Sequence, residues 1–289
     1  MIAQAAAEPS RWRELWWQLR GNPATLAGLV IVLGLALLAI FAPWIAPYPP
    51  LEKNFEMVAA PPQPRFWMGT DQYGQDILSR VIWATRLDLT IALVAVAFSL
   101  TLGSLLGAIG GFLGGIVDEV LMRLLDILQG FPSLILAMGI AFALGPGVLT
   151  VIVATSAVNI PGYARLMRSS LLSEKQRTYV LAARASGSSP WRILLRHLVP
   201  NALGPVMVNA TLHFGWAILE AAGLSFLGLG VAVPNAEWGV MINMGLQDFW
   251  QGHWWSYTFP GLAISLAVLG FNLLGDGLAD LLDPRRASR

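Results

Sequence analysis

A chain of 289 residues that is 56% apolar and only 12% charged lies far below the roughly 25% charge of soluble domains, which excludes an ordinary water-soluble globule. Its formal net charge of +1 excludes nothing by itself, because the placement of the charges carries the signal. The lack of cysteine excludes disulfides and thiolate metal sites and leaves the compartment open.

The apolar residues come in blocks of bilayer length. A hydrocarbon core about 30 Å thick takes about 20 residues of helix. The blocks are 24–45, 89–111, 127–144, 148–164, 202–230 and 258–275. Period-two alternation is missing from them, which argues against a β-barrel. The reading is an all-α integral membrane protein with six transmembrane helices. The first block is too long for a secretory signal, and Pro43, Trp44 and Pro47 stand where a small-residue cleavage site belongs. It is read as a mature helix between an N-terminal segment, 1–23, and an outer loop, 46–88. A core over 89–282 and a tail over 283–289 follow.

Basic residues stay preferentially on the cytoplasmic side. With the N-terminus inside, Arg11, Arg13, Arg20 and Arg123 lie inside. So do Arg165, Arg168, Lys175, Arg177, Arg184, Arg192 and Arg196 between the fourth and fifth blocks, and Arg285, Arg286 and Arg289 at the end. Only Lys53, Arg65, Arg80 and Arg86 fall outside. Fourteen against four puts both termini in the cytoplasm. The pattern follows a membrane, and no nucleic-acid partner is inferred.

In chain order, the outer loop is proline-rich and then carries "FWMGTDQYGQDILSR". The second block contains Gly103, Gly107, Gly111 and Gly115, each four apart, a stripe of small residues that predicts close helix packing within the chain or against a partner. Asn159 and Pro161 predict a local bend. The basic inner segment, 165–200, predicts a short helix ending at Ser186, a stop at Gly187, and a second helix capped by Ser189 with Pro190 at its first position. Trp191, Leu194, Leu195 and Leu198 are its apolar positions, flanked by Arg192 and Arg196. Such a hairpin either lies on the membrane surface or docks a cytoplasmic protein.

In the fifth block Asn209, His213, Trp216 and Glu220 share one helical stripe. Polar groups in a membrane face a bundle interior or a watery path, so the stripe either lines a translocation path or locks helices together. Trp238, Trp250, Trp254 and Trp255 fill a second outer loop, 231–257, as interfacial anchors or as contacts for an outer partner. Asn272, Asp276, Asp280 and Asp283 share a face of the last block. A phosphate-binding G-x-x-x-x-G-K-[ST] and an H-E-x-x-H zinc motif are absent, and the three histidines form no ligand pair at helical spacing. The chain is read as non-catalytic, with no metal site.

The inner segment resembles the coupling loop of bacterial ABC importer permeases, the pattern E-A-A, three residues, Gly, nine residues, I-x-L-P. Ala182, Ala183, Gly187 and Pro200 match it, while Leu181, His197 and Val199 depart from it. "GNPATLAGLVIVLGLALLAIFAPWIAPYPP", "MGTDQYGQDILSRVIWATRLDL", "EAAGLSFLGLGVAVPNAEWGVMI" and "FNLLGDGLADLLDPR" are similar to the C-type permease subunit of the dipeptide/oligopeptide/nickel importers. The resemblance implies a bacterial inner-membrane subunit that forms half of a pore with a homologous B-type permease. It also implies membrane lipid around it, two ATP-binding subunits beneath it that hold the ATP and Mg, and a substrate-binding protein outside. Coupling would fall to Ala182, Ala183, Ser186, Gly187, Ser189, Pro190, Trp191, Arg192, Leu195 and Pro200. Peptides are the implied cargo. Nickel, an opine or another small solute in the same family is the alternative, and an ATP-independent carrier or channel a more remote one.

Overall fold

A computed structural model describes residues 22–247 and 249–282. Arg11, Arg13, Arg20, Asp283, Arg285, Arg286 and Arg289 lie outside the described residues. Those described form helices joined by loops, with two isolated β-bridges, Gln63 with Phe66 and Thr70 with Asp76.

Helix α1 runs Pro23–Ile45. Asn22 caps it, its side-chain oxygen accepting from Ala24 N–H at 3.1 Å and Thr25 N–H at 3.3 Å, and Pro23 supplies a fixed φ at the first position. Helix α2, Ile77–Leu113, starts twelve residues before the expected block. Asp76 caps it by accepting from Ser79 N–H at 2.8 Å and Ser79 hydroxyl at 2.6 Å, which lets the helix begin among polar residues that hydropathy reads as loop.

The expected block 127–144 is broken. Helix α3, Gly115–Gln129, and helix α4, Ser133–Leu144, meet at 89°. Pro132 is the physical reason: it lacks an N–H and biases Phe131 away from helical φ and ψ. Helix α5, Val148–Glu174, continues ten residues past the expected end and carries Arg165 and Arg168.

Helix α6 is Thr178–Ala185 and α7 is Pro190–Ile193. A π-turn, Leu194–Leu198, joins α7 to α8, Val199–Phe226, so that Pro190–Phe226 is one continuous rod. Helix α9, Trp238–Gln247, lies in the aromatic segment 231–257, and α10, Trp255–Leu282, closes the described chain. Among the described residues α1, α2, the Pro190–Phe226 rod and α10 are long and apolar enough to cross a membrane, and the bent α3–α4 pair makes a fifth if counted as one span.

The core sits where α2, α5, α8 and α10 meet, around Tyr163, Met167, Val206, Ala210, Ile218 and Ala267. Glycine sets the closest approach. A Cβ at Gly103 would stand 2.7 Å from Ile160 O, one at Gly107 would run into the Ala164 carbonyl, and one at Gly111 would stand 3.3 Å from Arg168 O. These three therefore lie along the α5 backbone, within the chain. Gly115 lies past the end of α2 and has open space around its missing Cβ.

Candidate functional site

The basic segment 165–200 folds into a helical hairpin beyond the end of α5. Helix α6 ends in a Schellman motif: Ser188 N–H donates to Ala183 O at 3.1 Å, and Gly187 N–H donates to Arg184 O at 3.0 Å. Gly187 sits at φ +73°, the left-handed region where a Cβ is costly. Ser189 then caps α7, accepting from Arg192 N–H at 3.4 Å, with Pro190 at the first position. Ser186 hydroxyl donates back to Ala182 O at 2.9 Å.

The apolar positions of this second helix split between two faces. Leu194 and Leu198 are buried, while Trp191 and Leu195 are 59% and 66% exposed. Leu181 on α6 is 55% exposed. Three large apolar side chains thus stand largely exposed on one small knob, Trp191 with its ring 5.6 Å from that of Phe112. Pro200 has no N–H to give to a helical carbonyl and stands in the first turn of α8, two residues past the π-turn. Asn201 side-chain amide donates to His197 O at 2.6 Å.

The base of the knob is clamped. Lys175 Nζ donates to Gly111 O at 2.8 Å and Phe112 O at 2.9 Å, satisfying the carbonyl end of α2. Burial, and then Arg184 nearby, push its ammonium down from the ordinary lysine value. Tyr179 hydroxyl donates to Glu174 at 2.6 Å, and desolvation together with that bond pushes it up to about 12. Arg168 grips Asp118 with two bonds, at 2.6 Å and 2.5 Å, and Arg165 meets Asp126 at 2.5 Å. These pairs tie α3 to α5. Sequence reading counted the arginines for orientation and missed the pairs. Their signal was spacing: Arg165 and Arg168 share a helical face, as do Asp118 and Asp126 two turns apart.

The stripe of α8 meets α5 at two points. Glu220 accepts from Asn159 side-chain amide at 2.9 Å, and the His213 ring lies 5.0 Å from that of Tyr163. Asn159 also donates to Thr155 O at 2.8 Å, so it belongs with the stripe as well as with its own helix. Asn209 is half-buried, and Trp216 stands 60% exposed. One face therefore carries both interhelical contacts and an open aromatic. Asp276 is exposed and Asn272 half-buried on α10, outside that meeting point. Among the described residues, no group of three or more His, Asp or Glu is placed to hold a metal.

At the opposite end, Arg80 is a hub that sequence reading missed. It is 1% exposed. Its guanidinium donates to Pro50 O at 3.2 Å, to Gln75 side chain, and to Pro234 O at 3.5 Å, and it pairs with Asp71 at 3.6 Å. It thereby holds the loop before α2 and the loop before α9 together. The aromatic loop divides in the same region. Trp238 and Trp255 are buried in the protein at 0% and 7%, whereas Trp250 and Trp254 are 91% and 49% exposed. Trp238 and Trp255 donate to Val81 O at 3.2 Å and Thr70 O at 3.1 Å, so these two are packing residues, not membrane anchors.

Known proteins match along nearly the whole length. The family described as binding-protein-dependent transport system inner membrane component matches residues 99–288, and the N-terminal TM domain of oligopeptide transport permease C matches 10–62. The "Di/tripeptide transport system permease protein DppC" of Pseudomonas aeruginosa (strain UCBPP-PA14) is 43% identical, covering 96% of this chain and 93% of its own. The "Probable D,D-dipeptide transport system permease protein DdpC" of Escherichia coli (strain K12) is 42% identical over 96% and 92%. Among solved structures, an inward-facing form of the MetNI methionine ABC transporter shares the fold with a TM-score of 0.55 at 22% identity, covering 73% of this chain and 97% of that one. The chain belongs to the family of binding-protein-dependent transport system inner membrane components, the permease subunits of ABC importers.

Proposed function

We propose that this chain is the C-type half of the pore of an ATP-driven peptide importer in a bacterial inner membrane, with six spans and both termini in the cytoplasm. The α6–α7 knob seats in a groove on one of two separate ATPases, which bind the ATP and Mg. A homologous permease supplies the other half of the pore, and an outer binding protein delivers the cargo. Peptide cargo rests on the names of the relatives, which are dipeptide and di/tripeptide permeases.

The single observation that carries this reading is continuity. Trp191 and Leu195 stand exposed on the knob, and Pro190–Phe226 runs from the knob to the stripe without a break. A displacement of the knob is therefore a displacement of Asn209, His213, Trp216 and Glu220. The two Arg–Asp clamps tie α3 to α5, the helix that leads into the knob. Rocking of packed helices about a fixed site is a general route to alternating access.

The test is the double variant Trp191→Ala/Leu195→Ala, purified from its native membrane. Exposed apolar anchors are the residues whose truncation costs a complex about 2 kcal/mol or more. The ATPases should be lost from the purified complex while the permease stays membrane-inserted at its normal level. Unchanged ATPase recovery overturns the docking role. Uptake of labelled dipeptide, competed by nickel salt or by unlabelled dipeptide, decides the cargo.

A further inference from the structure

We propose that the groove between α1, α2 and the α8–α10 contact binds one anionic phospholipid, with its phosphate on Arg86 and an acyl chain along α1. The groove has a volume of about 460 Å³, within the range of roughly 300–1,000 Å³ typical of ligand sites. Val32, Ala36 and Ile40 of α1 form one wall and Leu93 of α2 another. Phe214 and Phe271, stacked at 5.0 Å and 11°, line it as well. Its lining is apolar except at one end, where Arg86 and Thr90 stand. There it meets a second hollow of about 310 Å³ beside Trp83 and Asn235, which Arg86 and Thr90 also line.

The depth fits a lipid. Arg86 lies 27 residues before the α2 terminus at Leu113, about 40 Å of helix, and a bilayer with its headgroups is about 40–45 Å thick. With the Leu113 end at one interface, Arg86 falls in the headgroup layer of the opposite leaflet. Val32 to Ile40 covers about 12 Å of helix, a length that stays within a single leaflet.

The charge selects the headgroup. Among the described residues near this end, Arg80 is buried and bonded, while Lys53 and Arg65 lie over the Tyr73 and Phe66 rings at 5.4 Å each. Arg86 is exposed, and no side chain or carbonyl among the described residues meets its guanidinium. Thr90 hydroxyl spends its proton on Arg86 O at 2.7 Å. A planar fork with five donors suits a phosphate. A zwitterionic lipid would bring a second cation beside Arg86, whereas an anionic one neutralises it.

The test uses the full transporter with its partner subunits in nanodiscs of phosphatidylcholine and phosphatidylglycerol, with native mass spectrometry of the lipids retained on release. One phosphatidylglycerol should stay with the wild type. Arg86→Gln, which removes the charge, and Leu93→Trp, which fills the groove and keeps the charge, should each weaken its retention about tenfold, with Arg86→Lys in between. A photo-crosslinker at Ala36 should label lipid in the otherwise unaltered complex, which gives a reading even where a variant folds poorly. Wild-type retention by Arg86→Gln, equal retention of phosphatidylcholine, or a crosslink from Ala36 to another polypeptide each overturns the proposal, the last by identifying a protein as the occupant.

Discussion

Asp88 and Glu237 are buried and interact electrostatically where α2 meets the start of α9. Both are at most 1% exposed. Asp88 accepts from Trp238 N–H at 3.1 Å, and Glu237 accepts from Gly239 N–H at 3.0 Å and Val240 N–H at 2.7 Å. Burial favours the protonated form of the Glu237 carboxyl.

That proton makes stability pH-dependent. Burial pushes the Glu237 carboxyl up from its ordinary value. Between that value and the raised one, the folded chain holds the proton and the unfolded chain has lost it. Stability is therefore full below the ordinary carboxylate range, near about pH 4, and falls as pH rises through the raised value. Thermal melts of the purified protein across this window should show the descent. Glu237→Gln should shrink it, and Asp88→Asn/Glu237→Gln should remove the pair's contribution. An unchanged slope in the double variant would show that other groups set it.

Close packing of α2 on α5 depends on Gly107. Gly107→Ala drives a methyl into the Ala164 backbone, and overpacking of this kind costs about 1–3 kcal/mol. Gly34→Ala is the control. Its Cβ meets nothing within 4 Å, and alanine is the better helix former by about 1 kcal/mol. Melting temperature in detergent should fall for the first and hold or rise for the second.

Gly187 fixes the turn of the knob. Gly187→Pro demands φ near −65° where the chain has +73°, and it removes the N–H that donates to Arg184 O. Uptake by the assembled transporter should be lost, with ATP hydrolysis no longer tied to cargo and the permease still inserted in the membrane. Normal uptake by this variant is incompatible with the proposed coupling.

The Arg168–Asp118 clamp should behave as a coupled pair. The two side chains are 34% and 16% exposed, so solvent screening limits their coupling to about 1 kcal/mol. A double-mutant cycle with Arg168→Gln and Asp118→Asn, read by thermal melting, should return a coupling of that size. A coupling of zero would make the contact incidental.

Much of the architecture was legible along the chain. The apolar blocks located α1, α8, α10 and the start of α5, and Gly187, Ser189 and Pro190 marked the hairpin turn residue by residue, because a cap, a stop and a fixed φ are local properties. Boundaries were less legible. Hydropathy places the start of α2 at residue 89, but Asp76 sets it at Ile77 through a cap that a hydropathy window does not register.

The sequence by itself determined that the chain is helical, is built for a membrane, and carries a basic broken hairpin with a polar stripe after it. Composition, period and capping chemistry are read from neighbours along the chain, and they suffice for that. Only the tertiary structure decided which polar residues meet. Arg80 with residues 50, 71 and 234, Asp88 with Glu237, Asn159 with Glu220, and Arg168 with Asp118 are pairs mostly far apart in sequence. It also decided that Trp238 is core while Trp250 is exposed, and that the knob and the stripe share one rod. The reason is physical. Burial and pairing depend on which surfaces the packed helices bring together, and one chain's local pattern allows many such arrangements.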